Sequence, residues 1–175
     1  MSETTQAEYQ ALRDTIRERG TARLCAVLGG LVAWGALAIA VLVAELEGGV
    51  TLVPFLVLAA TFEVNFFVHT GVERIGRYLQ VFHEERAGTA GWETTAMSYG
   101  TKFPSGLDPL FSILFATAAA LNFFGSVAVA ERRPGWIAIS LAAHAAFAYR
   151  IVSAKKLAGS QRALDLDRFR SLLSK

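Results

Sequence analysis

LCAVLGGLVAWGALAIAVLVA, residues 24–44, is an apolar run of 21 residues without a charged side chain. An α-helix rises about 1.5 Å per residue, so a run of this length covers the roughly 30 Å hydrocarbon core of a bilayer. A cleaved signal peptide would have a shorter apolar region that ends at small residues. Because a long charged segment precedes the run and Glu45 follows it, the sequence predicts an uncleaved membrane span.

Three further apolar runs follow, at residues 50–70, 109–130 and 136–152. Pro109 and Pro134 fall at predicted first turns of helices, where a missing backbone N–H costs nothing. In lipid every backbone polar group needs an internal partner, which restricts spans to helices and closed barrels, and the alternation typical of barrel strands is absent from this sequence. The sequence therefore predicts an all-α fold, an integral membrane four-helix bundle in one domain with cytoplasmic helical extensions.

Lys and Arg are unevenly distributed among the segments between these runs. All of them except Arg132 and Arg133 lie in residues 1–23, in residues 71–107 or from Arg150 onward. Positive residues accumulate on the cytoplasmic side of membrane proteins. We therefore expect a multi-pass protein with both termini and residues 71–107 in the cytoplasm, and with short turns at 45–49 and 131–135 on the outside.

Two of the cytoplasmic segments are predicted to be helical. Residues 1–22 form a short amphipathic helix that begins with a capping box at Thr5 and Glu8 and ends at Gly20, or a helix that simply leads into the first span. The tail, residues 153–175, is predicted to restart as a helix at Ser160 after Gly159.

The middle segment, residues 71–107, combines a helical extension with a loop. The second helix is predicted to continue from about residue 52 to residue 85, because apolar residues keep their helical spacing beyond the span. Residues 87–107 are rich in Gly, Thr and Ser and are predicted to be a long loop. Its aromatic residues, Trp92, Tyr99 and Phe103, are of the amphipathic kind that dips into the headgroup region.

One face of the second helix is polar from mid-membrane to the cytoplasm. At 100° per residue the polar side chains fall on one side and the aliphatic ones opposite. Ionisable residues in a span usually face the bundle interior or water, so this face is a candidate route for ions or protons. Its predicted members within the membrane are Glu63, Asn65, His69 and Thr70, joined by Asn122 and His144 at nearby depths in the third and fourth spans. Glu73, Arg74 and Arg77 form the cytoplasmic end, and Glu45 and Glu47 form the outer mouth.

A structural role for the same residues is the main alternative. Polar side chains in spans also hold helices together, and a protonated Glu63 bonded to His144 or Asn122 would act as a lock. Small residues at Ala22, Ala26 and Gly30 permit close helix approach, within a bundle or between copies.

Several other functions find no support in the sequence. A net charge of +2 is no nucleic-acid footprint, and no nucleotide-binding or hydrolase motif occurs, so we expect no nucleic-acid partner and no enzyme. His69 and His144 differ in predicted depth by about 14 Å, too far for the two axial ligands of one haem iron within a chain, which leaves only a haem between subunits. The single Cys25 fits an apolar filler, and we expect neither cofactor nor metal.

Two functions remain from the residues alone. The first is a small oligomeric channel or carrier subunit that passes ions or protons along the face around Glu63. Because four short spans enclose a pore poorly, this hypothesis requires a homo-oligomer in the lipid bilayer. The second is a non-conducting scaffold or regulatory subunit that docks a protein partner through its cytoplasmic helices.

Overall fold

The computed structural model describes residues 3–46, 48–88, 90–102, 109–129 and 133–173. Regular structure in these ranges is helical throughout, so the all-α prediction is confirmed. Glu47, Phe103 and Arg132, on which predictions above depend, lie outside the described residues. The elements are α1 (Glu3–Val43), a 3₁₀ turn (Gly48–Thr51), α2 (Leu52–Leu79), a π-helix that continues α2 (Gln80–Glu85), α3 (Trp92–Lys102), α4 (Pro109–Ala128) and α5 (Pro134–Leu173).

Three of the described helical segments are long and apolar enough to cross a membrane, namely Thr4–Val43, Gly48–Glu85 and Pro134–Leu173. A shorter apolar segment, Ser112–Ala128, lies within α4. Pro109 and Pro134 are the first residues of α4 and α5, as predicted. These lengths and compositions are those of a helical membrane protein.

The chain folds into two compact units. The charged unit consists of Met1–Arg23, Phe67–Leu107 and Lys156–Lys175, and it contains most of the charged side chains. The apolar unit consists of Leu24–Phe66 and Asp108–Lys155. Helices α1, α2 and α5 contribute residues to both units, whereas α3 belongs to the charged unit and α4 to the apolar unit.

The core of the apolar unit is an aromatic cluster centred on Phe62 of α2. Its ring is completely buried and meets Phe115 of α4 and Phe147 of α5 edge to face, with centroids 5.3 and 5.4 Å apart. Phe55 packs against Phe147 in the same manner. Edge-to-face aromatic pairs add about 0.5–1.5 kcal/mol each beyond burial of their area, so this cluster ties α2, α4 and α5 together.

Helix α1 meets α2 in the apolar unit at Gly30. A Cβ atom placed there would lie 2.8 Å from the Cβ of Thr61, a contact that rotation of the threonine side chain cannot relieve. At the neighbouring Gly29 an added Cβ would meet nothing within 4 Å. Gly30 therefore serves helix packing inside one chain.

The core of the charged unit lies where α2 passes into the π-helix. Leu79 and Val81 are completely buried there. Tyr78 and Phe82 stack with centroids 4.7 Å apart, and Phe169 of α5 packs on both rings edge to face. The helix predicted over residues 52 to 85 is thus confirmed, and its residues 78–82 form this core together with Phe169.

Two predicted helix boundaries are wrong. Helix α1 continues through Gly20, which confirms the alternative of a helix that leads into the first apolar run, and α5 continues through Gly159 and Ser160. A glycine within a helix costs only about 1 kcal/mol relative to alanine, which tertiary contacts of the flanking turns offset. Thr5 and Glu8 are not a capping box, because both lie inside α1, and Glu8 instead accepts a 2.7 Å hydrogen bond from the Tyr78 hydroxyl.

The long loop predicted over residues 87–107 is also wrong, because Trp92–Lys102 form α3. The carboxylate of Glu84 accepts hydrogen bonds from the backbone N–H groups of Glu93 and Thr94 at 3.0 and 2.7 Å, and from the Thr94 hydroxyl at 2.7 Å. The first N–H groups of a helix need such acceptors and favour negative charge. The side chain of Glu84, in the preceding π-helix, therefore stabilises the first turn of α3. The Gly- and Thr-rich composition of this segment does not by itself indicate a helix.

Gly30→Ala is expected to destabilise the apolar unit, whereas Gly29→Ala is not. Alanine favours helix by about 1 kcal/mol over glycine at an open position, but overpacking costs about 1–3 kcal/mol at a closed one. Thermal unfolding in detergent should give a lower midpoint for Gly30→Ala and an equal or higher one for Gly29→Ala. Equal midpoints for both variants would contradict the close contact with Thr61.

Candidate functional site

Charged side chains on the polar face of α2 pair with charged side chains of α5. In the apolar unit, Glu63 accepts a 2.8 Å hydrogen bond from Nη2 of Arg150. The Arg150 guanidinium also lies over the rings of Phe66 and Phe62, at 4.8 and 5.9 Å from their centroids. Both members of the ion pair are only partly covered, with 49% of the Glu63 side chain and 35% of the Arg150 side chain exposed.

In the charged unit the same face of α2 and its π-helical continuation pair with α5 again. Arg162 donates to Glu73 through both Nε and Nη2, at 2.9 and 2.8 Å. Arg170 holds both carboxylate oxygens of Glu85, a bidentate geometry that fixes direction as well as distance. The third pair joins Arg74 to Asp165 at 3.3 Å. The α2–α5 seam, as we call it, consists of Glu63–Arg150, Glu73–Arg162, Arg74–Asp165 and Glu85–Arg170.

The remaining residues of the predicted face also have neighbours. Asn65 is almost completely buried. His69 lies 3.5 Å from Arg23 of α1, measured from Nδ1 to Nη1, and the Thr70 hydroxyl donates to the carbonyl of Phe67. Arg77 donates to Gln80. Every ionisable side chain of this face is thus in contact with a polar partner.

A second polar cluster lies in the interior of the apolar unit. The indole N–H of Trp34 donates to Oδ1 of Asn122 at 3.0 Å, and the Asn122 amide lies 3.3 Å from Nε2 of His144. Nδ1 of His144 lies 2.7 Å from the carbonyl oxygen of Ser140. One proton arrangement satisfies all three side chains, with Nδ1–H donating to Ser140 and Nε2 accepting from Asn122.

Asn122 and His144 are therefore brought together, as their predicted depths suggested, but Glu63 is not one of their partners. The expected bond from Glu63 to His144 or Asn122 is wrong. Arg150 takes that place, because its side chain is long enough to reach the carboxylate of the neighbouring helix.

The charged unit contains a buried ion cluster centred on Glu93 of α3. Its carboxylate oxygens lie 2.8 Å from Arg13 and 3.4 Å from Arg77. A Cβ at Gly76 would come within 2.7 Å of Glu93 Oε2, so the glycine leaves room for the carboxylate. Burial raises the pKa of Glu93 and both arginines oppose that rise. The cluster joins α1, α2 and α3.

The predicted outer mouth is described only at Glu45. This residue has a positive φ of 50° just after α1. Its N–H donates to the carbonyl of Leu42, and the N–H of Leu46 donates to that of Val41. These two bonds form a Schellman motif, in which the left-handed position usually holds glycine. Glu45 thus terminates α1, and its side chain is exposed.

Sequence reasoning missed the partners in α5 and α3, namely Arg150, Arg162, Asp165, Arg170 and Glu93. The sequence predicts a helix from Ser160 onward but assigns its charged side chains no partners. The sequence contains a usable signal for the α5 partners. When the sequences of α2 and α5 are aligned in parallel, oppositely charged residues fall side by side. Glu93 offers no comparable signal, because it lies in α3 and the sequence predicts a loop there.

Comparison with protein-family profiles, with curated protein sequences and with solved structures finds no match. Within the described part of the chain, no group of three or more His, Cys, Asp or Glu side chains is arranged to hold a metal ion. The functional conclusion therefore rests on the geometry of this chain.

Glu63→Gln and Arg150→Gln are expected to lower the unfolding midpoint by similar amounts, and the double variant by less than the sum. Residues in direct contact couple by about 0.5–3 kcal/mol, and partial exposure places this pair toward the lower end. A double-mutant cycle by thermal unfolding measures the coupling. Strict additivity would mean that the ion pair does not form.

The Glu85–Arg170 pair makes stability depend on pH. The hydrogen bonds from Arg170 lower the pKa of Glu85, so the folded state favours the ionised carboxylate. The stabilisation is therefore present above the unfolded pKa of about 4.3 and is lost as pH falls through the folded value. The difference in unfolding midpoint between wild type and Glu85→Gln should be constant near neutrality and shrink below about pH 4. A difference that grows in acid would contradict this assignment.

Proposed function

We propose that this protein is a non-conducting membrane scaffold or regulatory subunit that presents its charged unit to a protein partner in the cytoplasm. The observation that carries the proposal is the pairing of every ionisable side chain on the polar face of α2. A face that lines a water-filled path would leave such groups available to ions. Here they hold helices together.

The proposal includes four membrane crossings. The three long apolar segments supply three of them, and α4, with 20 residues, is long enough for the fourth at about 1.5 Å per residue. The concentration of Lys and Arg in residues 1–23, 71–107 and 150–175 supports cytoplasmic placement of both termini.

The construction of the charged unit supports a docking role. It has its own aromatic core at Tyr78, Phe82 and Phe169, and its own buried ion cluster at Glu93. A segment that merely connects spans needs neither. Helix α5 also leaves Leu164 and Leu172 exposed in this unit, and such residues are suited to contact with another protein.

A channel remains the second candidate because of the Glu63–Arg150 pair. Half of the Glu63 side chain is exposed although α2 lies in an apolar unit there. In a homo-oligomer, a second copy of the chain or water would cover that carboxylate, and ions would pass between copies.

Flux into liposomes distinguishes the two functions. Purified, folded protein should pass neither protons nor monovalent cations, and Glu63→Gln should change only thermal stability. Wild-type flux that disappears in Glu63→Gln would replace the scaffold by the channel.

Photocrosslinking in native membranes tests the docking role directly. A benzophenone amino acid at Leu172 in the charged unit should give one heteromeric product, because the partner contacts this unit. The same label at Val32, which is also exposed but lies in the apolar unit, is the control and should give none. Self-crosslinked product alone from Leu172 would contradict partner docking.

A further inference from the structure

A groove in the apolar unit lies between α1, α4 and the start of α2. Its volume is about 360 Å³, within the roughly 300–1,000 Å³ that small-molecule sites in proteins occupy. Along α1 it extends from Trp34 to Leu42, about 12 Å at 1.5 Å per residue. All of the described residues that line it are uncharged. We call it the α1–α4 groove, and the residues that matter below are Trp34, Gly35, Leu42, Thr51, Asn122 and Ser126.

Two glycines leave the space of this groove open. At 100° per residue, Gly35 lies between Leu42 and Ile39 on the face of α1 that lines the groove. A Cβ atom added at Gly35 would meet nothing within 4 Å, and one added at Gly125 of α4 would meet only Leu42, at 3.7 Å. A larger side chain at position 35 would therefore occupy the groove without displacing its walls.

The buried side of the groove is polar and its open side is apolar. Thr51, Asn122 and Ser126 are only 7%, 5% and 6% exposed. Ile39 and Leu121, which also line the groove, are 63% and 60% exposed. A molecule in the groove would thus meet hydrogen-bonding groups at its inner side and aliphatic side chains at the opening.

Each of the three polar side chains keeps unused hydrogen-bonding capacity. The hydroxyls of Thr51 and Ser126 donate to the carbonyls of Gly48 and Asn122, so both hydroxyl oxygens can still accept. One amide hydrogen of Asn122 is directed to Nε2 of His144, and no described residue accepts the other. A hydroxyl group can accept from that amide and donate to a hydroxyl oxygen at the same time.

We propose that the α1–α4 groove binds a neutral lipid that carries a free hydroxyl group. The lipid hydroxyl accepts from the Asn122 amide and donates to Ser126, and the hydrocarbon chain lies against Ile39 and Leu121. A charged headgroup would lose its hydration without gaining a counter-ion, because every described lining residue is uncharged. The inference rests on the membrane location of the apolar unit, and neither on the docking of a partner nor on ion conduction.

Photoaffinity labelling tests the site with a hexadecanol that carries a diazirine in its chain. The purified protein is reconstituted into phosphatidylcholine vesicles and irradiated, and the adducts are located by mass spectrometry. They should concentrate at Ile39 and Leu121 and be scarce at Val32, which is 73% exposed but does not line the groove. Unlabelled hexadecanol should compete, and its methyl ether, which cannot donate, should compete about fivefold less well, as expected for one lost hydrogen bond.

Two variants separate the groove from its polar side. Gly35→Leu should abolish the labelling, whereas Gly29→Leu is the matched control, since a Cβ there also meets nothing within 4 Å and Gly29 does not line the groove. Ser126→Ala leaves the groove open and should remove the preference for hexadecanol over its ether, a result that does not depend on how Gly35→Leu folds.

The proposal would be overturned by equal labelling of Gly35→Leu and Gly29→Leu, or by adducts that are as frequent at Val32 as at Ile39. An ether that competes as well as the alcohol in wild type would also overturn it, because the groove would then take any hydrocarbon chain.

Discussion

Oppositely charged side chains of α2 and α5 pair in parallel register, within the apolar unit at Glu63–Arg150 and within the charged unit at the other three pairs. Helix α2 carries Glu63, Glu73 and Arg74 on one side. An ionised group placed in an apolar environment without a partner is strongly destabilising. In the apolar unit Arg150 of α5 supplies such a partner for Glu63, and in the charged unit Arg162 and Asp165 of the same helix pair with Glu73 and Arg74.

Charged side chains also connect the helices of the charged unit. Glu84 replaces the local N-cap that the sequence around Trp92 lacks, and Glu93 then brings Arg13 of α1 and Arg77 of α2 to α3. A π-helix is rare and often marks a functional position, and here it directs Glu84 toward α3 while Glu85 reaches Arg170. A segment rich in Gly and Thr thereby becomes an ordered helix with one exposed face.

The polar cluster inside the apolar unit differs from the α2–α5 seam, because its side chains are joined by hydrogen bonds and not by ion pairs. Trp34, Asn122 and His144 satisfy one another and the carbonyl of Ser140. Such a network gives α1, α4 and α5 a unique register in an otherwise apolar core. In this network and in the α2–α5 seam, polar side chains of the apolar helices connect one helix to another. This is the physical basis for proposing a scaffold before a channel.

The sequence by itself determined the helical class, the apolar segments and the uneven distribution of charge, because each of these follows from composition within a single helix. It also located Asn122 and His144 at matching depths, since rise per residue is constant along a helix. Only the tertiary structure decided the partners of those residues. Glu63 has Arg150 and not His144, because a partner depends on which helices are adjacent and how they are rotated. Helix α3 likewise forms because Glu84 reaches its first turn, a contact between segments that no local pattern of residues encodes.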